Sequence, residues 1–353
     1  RRKIARISSE ALSDYARAFD ALAAALKEDP AQHDTRFELE KIAEVSEAQK
    51  RLVDLYKEIA KDISDAQLAR EYWMKVSALD EALGMVDDAA AGYTHVLEID
   101  AADADALAAL EQLFVRTQRW EDLISVIQRR VDLAIEPDAR EALYMSMAQV
   151  QDERLGRPTD AVGSYRKVLE LDPQSARALG ALDALLVRQK MWPELAENLE
   201  AQLALTSDDQ AQLALMLRLA ALRETEMNQV ETAIEGYRSV LDRDPNNEQA
   251  LAALERLGQM PEHELAIAEI LEPLYRHLGD HAKLIGVHEV QVRRADDAPR
   301  KVELLHQVAQ LYEDAAGDLN QAFATYARAL KEDAASEETQ QQLERVARAT
   351  SRF

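Results

Sequence analysis

AVGSYRKVLELDP at residues 161–173 and AIEGYRSVLDRDP at residues 233–245 are two copies of one pattern, 72 residues apart. Each carries an Ala, a Tyr four positions later, a Val three after that followed by Leu, and an Asp three further on. Ala89 to Asp100 and Ala322 to Asp333 repeat it, so Tyr93, Tyr165, Tyr237 and Tyr326 stand 72, 72 and 89 residues apart. A degenerate copy runs through Ala18, Leu22, Ala25, Leu26, Asp29 and Pro30. Steps of four and three place these side chains on one face of a helix.

Working outward, the second half of each period also recurs. Trp120-Glu121-Asp122-Leu123 returns as Trp192-Pro193-Glu194-Leu195, with His281-Ala282-Lys283-Leu284 and Gln49-Lys50-Arg51-Leu52 as weaker copies. From Pro137 to Pro173 the apolar spacing predicts two amphipathic helices broken near Gly156-Arg157-Pro158. Gln174 to Thr206 predicts two more, broken near Lys190 to Trp192. Each period is thus two helical hairpins of about 36 residues. A hairpin this short cannot bury its apolar face alone, so it must stack on neighbours. Ala, Leu, Glu and Arg dominate the chain and only 5% of residues are aromatic, which suits helix throughout.

On these residues the hairpins resemble tetratricopeptide repeats. In the Pro137–Pro173 copy the matching positions are Tyr144, Met147, Ala148, Ala161, Tyr165, Val168 and Pro173; in the last copy they are Leu305, Val308, Ala309, Tyr312, Ala322, Tyr326 and Ala329. The alternate hairpins depart, with Leu123, Leu195 and Leu284 where the family prefers Ala. The resemblance implies an all-α, right-handed α-solenoid of stacked antiparallel helical hairpins over residues 1–353, similar to a segment of long bacterial arrays. Residues 1–12 fit the tail of a first helix and Ser336 to Phe353 a helix without its partner, so the array is expected to be truncated at both ends, with homo-oligomerisation through those ends open to it.

The last period is 17 residues too long, and the excess falls at 247–280. ALAALERL at 250–257 and ILEPLYRHL at 270–278 both fit the first-helix template, which predicts an irregular insertion with one added helix. One register carries five acids: Glu40, Glu111, Asp183, Glu255 and Glu344. The parent motif places a small residue at that seam, so each carboxylate needs a partner or solvent.

The net charge is −24, and residues 1–62 hold 12 Lys/Arg against 13 Asp/Glu, so almost all of it falls beyond them. No basic patch offsets it, which excludes phosphate backbones as partners. No apolar run reaches the 18 or so residues of a membrane span, and Arg1-Arg2-Lys3-Ile4 opens no signal peptide, which favours a cytoplasmic setting. There is no cysteine. His263-Glu264 and His288-Glu289 lack the second His of a zincin helix, and no nucleophile elbow or phosphate-cradling loop is present, so no metal, cofactor or catalytic residue is expected.

The resemblance implies a concave groove lined by the first helix of each hairpin. By register its candidates are Arg70, Trp73 and Ser77; Ala142, Met145 and Gln149; Ala214, Leu217 and Ala221; Glu303, His306 and Gln310. Trp73 and Met145, if exposed, suit an anchor role. The function expected is a non-catalytic protein-binding scaffold taking a basic or apolar protein segment. A structural spacer in a larger protein, or an effector of a small GTPase or other enzyme, are the alternatives.

Overall fold

The computed structural model describes residues 14–350, together with residues 1, 3, 5 and 8. Most of the stretch 1–12, expected as the end of a helix, and residues 351–353 lie outside the described residues. The described elements are helices, with no strand among them: α1 (Tyr15–Glu28), α2 (His33–Val45), α3 (Gln49–Asp62), α4 (Ala66–Ala82), α5 (Val86–Ile99), α6 (Ala104–Arg116), α7 (Trp120–Leu133), α8 (Pro137–Gln149), α9 (Pro158–Leu171), α10 (Ala176–Gln189), α11 (Trp192–Leu205), α12 (Asp209–Thr225), α13 (Val230–Arg243), α14 (Glu248–Leu257), α15 (Glu264–Leu278), α16 (His281–Arg294), α17 (Ala298–Asp314), α18 (Leu319–Glu332) and α19 (Glu337–Ala349). A π-helical turn, Val150–Arg154, extends α8.

The period is written into both ends of the helices. Asp65, Asp208 and Asp297 cap α4, α12 and α17, each accepting from a backbone N–H three residues on at 2.7–2.8 Å. Asp103, Asn247 and Ser336 do the same for α6, α14 and α19. Capping of this kind satisfies N–H groups that have no partner within the helix. The turn inside each hairpin holds one left-handed residue: Gly84, Gly156, Asn228 and Gly317 in one set, Glu47, Gln118, Lys190 and Gly279 in the other. A left-handed residue stops a helix and turns the chain back on it.

The chain divides into two compact units, residues 1–185 and 186–353. Within each, helices that follow one another pack together, as α4 does on α5 and α12 on α13. The repeated positions form the core. Ala18, Ala89, Ala161, Ala233 and Ala322 are fully buried, and Tyr93, Tyr165, Tyr237 and Tyr326 expose no more than 6%. The residue before each of these tyrosines is small because helices cross there. A methyl on Gly236 would stand 2.9 Å from Ala220 Cβ, and one on Gly92 would collide with Ser77 Oγ. In 247–280 two helices, α14 and α15, lie between α13 and α16, where α6 alone separates α5 from α7.

The repeated acids are partnered. Glu40 accepts from the Tyr56 hydroxyl at 2.9 Å and from Lys75 at 2.6 Å. Glu111 pairs with Arg130. Glu255 accepts from Tyr275 and, at 2.7 Å, from Lys283. Burial pushes the Glu255 carboxyl up, but these two donors outweigh it and leave its pKa lowered. Asp183 also has a partner. Glu344 is the loosest, 3.7 Å from Arg348 and largely exposed. A second set of acids, near the ends of the first helices, does the same: Tyr93 donates to Glu81 at 2.7 Å, and Tyr237 to Glu224 at 2.8 Å.

Candidate functional site

The groove positions read from the sequence divide into three groups. The first is spent inside the fold. Arg70 is half-buried, and its guanidinium bonds Asp103 and Asp105 at the start of α6. Hydrogen bonds to Asp103, then to Asp105, raise its pKa. Trp73 and Met145, expected as exposed anchors, are 8% and 6% exposed, and Ser77 is fully buried. The Trp73 ring lies against His95 at 4.3 Å between centroids, and Ser77 donates to the Trp73 carbonyl at 3.0 Å. Trp73 and Ser77 pack against the following helix at His95 and Gly92, Arg70 ties α4 to the start of α6, and Met145 is buried, so these side chains are engaged within the fold.

The second group is accessible but scattered. Ala142, Gln149, Glu303 and Gln310 are exposed. Glu303 pairs with Arg300 at 2.6 Å. His306 is half-buried, shares a hydrogen bond of 2.8 Å with Thr339, and meets the Tyr326 ring edge-on at 5.3 Å.

The third group converges. Ala214, Leu217 and Ala221, with Leu213, line one face of α12, and Ala252 and Ala253 on α14 face them across a groove of about 830 Å³. Gln210 and Gln249 stand on its rim, and Asp244 and Asn247 close one part of it. Another part is built from Tyr237 and Arg256. Arg256 grips the Glu224 carboxylate through both terminal nitrogens, at 2.6 and 3.1 Å, and Tyr237 donates to the same carboxylate. Burial, then that carboxylate, raises the Tyr237 pKa, so the hydroxyl stays a donor across the physiological range. Arg256 is therefore held rigidly by its carboxylate partner and not free to seek a ligand anion.

Sequence reasoning found the α12 wall and missed the α14 wall. The missing signal is three residues before the repeated acid, where Ala108, Gly180 and Ala252 are small and exposed while Phe37 is a large ring 52% exposed. A small residue on an exposed helix face opens room beside its neighbour. Among the described residues no group of three or more His, Asp or Glu could hold a metal ion, and no helix is long and apolar enough to cross a membrane.

Two tetratricopeptide repeat models match the chain, at residues 106–141 and 214–247. The second covers α12 from residue 214 and all of α13, and the first falls on the α6–α7 hairpin, one of those that depart from the family's preferences. No curated protein matches the sequence. Among solved structures, Naa15/Naa10 bound to HypK-THB is similar at 15% identity and TM-score 0.39, covering 99% of this chain, which spans 61% of that chain's length. YrrB, a tetratricopeptide protein described as having an unusual peptide-binding site, is 19% identical at TM-score 0.29, with 56% of this chain and 95% of that one covered. PilF of Pseudomonas aeruginosa is 14% identical at TM-score 0.28, with 68% and 96% covered. Likenesses at these scores assign no partner. The chain therefore carries two stretches, residues 106–141 and 214–247, that match tetratricopeptide repeats, among helical hairpins that recur along both units.

Proposed function

We propose that the chain is a non-catalytic scaffold that holds an extended, predominantly apolar segment of a partner protein in the groove between α12 and α14. The observation that carries this reading is the groove floor. Leu213, Ala214, Leu217, Ala221, Ala252 and Ala253 present a continuous small and aliphatic surface over about 830 Å³. An extended segment needs such a floor for its side chains and amides for its backbone. Gln210 and Gln249, both exposed on the rim, supply the amides. The charges here are Asp244 against Arg218 and Arg256, with Arg256 neutralised by Glu224, so this groove has no bias toward a basic ligand despite the chain's net charge.

The test uses the whole chain and 12-residue peptides selected on it from a display library. Ala252 is exposed, so Ala252→Trp fills the groove without touching the core. Affinity by fluorescence anisotropy is expected to fall more than tenfold in this variant and in Leu217→Glu, while thermal unfolding of Ala252→Trp stays at the wild-type value. Peptides that bind both variants as tightly as wild type would overturn the assignment.

A further inference from the structure

A second cleft, sharing no residue with the groove above, lies between α13 and α15 and encloses about 560 Å³. It lies in the stretch 247–280, where two helices, α14 and α15, stand in the place that one helix holds in the preceding period. Its walls are two helices, each contributing residues at successive turns. On α13 these include Ile234 and Leu241; on α15 they include Ala266, Ile270, Leu274 and His277. Ile234 and Leu241 are buried at the base, whereas Ile270 and Leu274 remain half-exposed and Ala266 exposed. From Ala266 to His277 the wall is about 16 Å long at 1.5 Å per residue, the length of three helical turns.

Three carboxylates stand on the rim, Glu235, Asp242 and Glu269, against one guanidinium, Arg238. Arg238 reaches only Glu235, at 3.7 Å. Asp242 and Glu269, both exposed, have no partner among the described residues. The lining also holds Pro273, inside α15. Proline has no N–H, so the Glu269 carbonyl four residues earlier lacks its helical donor and is left as a further acceptor. The cleft therefore combines an apolar floor with unneutralised negative charge and a spare backbone acceptor. That contrasts with the α12–α14 groove, whose charges are already paired.

We propose that the α13–α15 cleft is a docking site for a basic amphipathic helix of a partner protein, three or so turns long. Its apolar stripe would lie on Ile270 and Leu274, ridge into groove, as helices pack at 8–10 Å. Its flanking Lys or Arg side chains would meet Asp242 and Glu269. An extended segment suits this cleft less well, because both walls are helices with apolar residues at helical spacing. A nucleic acid is disfavoured by the sign of the rim.

The probe is an 18-residue peptide with Leu at i, i+4, i+7 and i+11 and Lys on the flanking positions, compared with a scrambled peptide of identical composition. Binding to the whole chain is read by anisotropy at 150 mM salt. The ordered peptide is expected to bind at least tenfold more tightly than the scrambled one. The double charge reversal Asp242→Lys with Glu269→Lys, on exposed positions, is expected to weaken it at least tenfold with the helical circular dichroism unchanged. Leu217→Glu, in the other groove, is expected to leave it unaffected. Because the chain has no cysteine, Ala266→Cys carries a single fluorophore, which a Trp placed in the peptide's apolar stripe should quench. Equal binding of the scrambled peptide would show charge attraction alone and overturn the proposal. So would no binding of the ordered peptide, indifference to the charge reversal, loss of binding in Leu217→Glu, or an unquenched fluorophore.

Discussion

Lys57→Met strikes a buried carboxylate, Asp80, whose compensation among the described residues is a single ammonium. Asp80 is fully buried near the end of α4, and no uncharged donor among the described residues reaches either of its oxygens. Lys57 on α3 stands 3.0 Å from Oδ2 and 3.2 Å from Asp88. At 3.0 Å and an effective dielectric of about 20, the Asp80–Lys57 attraction is about 5.5 kcal/mol before desolvation. Part of this is offset by desolvation, and removing one partner of a buried pair costs about 3–5 kcal/mol in practice. We therefore expect Lys57→Met to destabilise the α3–α5 region by about 3 kcal/mol at pH 7. Burial raises the Asp80 pKa above its ordinary value, with Lys57 pulling the other way. A carboxyl whose folded pKa is raised binds protons more strongly folded than unfolded. Its unfavourable contribution therefore grows as pH rises from the unfolded value toward the folded one. Loss of Lys57 pushes the folded pKa higher still, so the variant should lose less at pH 5 than at pH 7. Native-state hydrogen exchange of the α3, α4 and α5 amides at both values is the assay. Lys57→Met combined with Asp80→Leu should recover most of the loss, since a well-packed apolar pair can replace a buried ionic one. Unchanged protection in Lys57→Met, or a loss that is larger at pH 5, would refute the reasoning.

Gly236→Val should overpack the α12–α13 crossing, because its Cβ would meet Ala220 Cβ at 2.9 Å; a loss of about 1–3 kcal/mol is expected in urea unfolding, with no change expected for the open position Gly163→Ala beyond its helix propensity. Burial, then the Glu313 carboxylate, pushes the Tyr326 pKa up to about 12, and Tyr72 is pushed up to about 12 chiefly by burial. These hydroxyls keep their protons above pH 10 while unfolded tyrosines lose theirs, so stability should fall as pH rises from about 10 toward 12. Ultraviolet titration should show the repeat tyrosines ionising late, together with the loss of helical signal.

Much of this was legible in the sequence because a period constrains it. Ala161 and Tyr165 could be placed in the core from their recurrence alone, since a residue repeated every 72 positions must meet the same neighbour each time. The 17 surplus residues carry an apolar pattern of their own, and the stretch they fall in holds two helices, α14 and α15. Exposure on the first helices was not legible. Trp73 and Arg70 differ by less than one turn, yet Trp73 packs on His95 of α5 while Arg70 bonds Asp103 and Asp105 at the start of α6, a division their spacing does not encode. The π-turn at Val150–Arg154 has no such signature either, since no proline or glycine marks it. The α14 wall was missed because a groove needs two helices, and the register of one says nothing of the distance to the other.

The reach of the cross-helix bonds has a kinetic consequence. Arg36 to Glu71, Lys57 to Asp88, Arg256 to Glu224 and Tyr72 to the Pro30 carbonyl span 31–42 residues in sequence. The entropy of closing a loop grows with its length, so bonds of such short span form early and independently of chain length. Folding can then begin at any hairpin and spread to either neighbour, as in a one-dimensional lattice. A second helix in 247–280 lengthens only the loops that enclose it, so the search elsewhere along the chain proceeds at an unaltered rate.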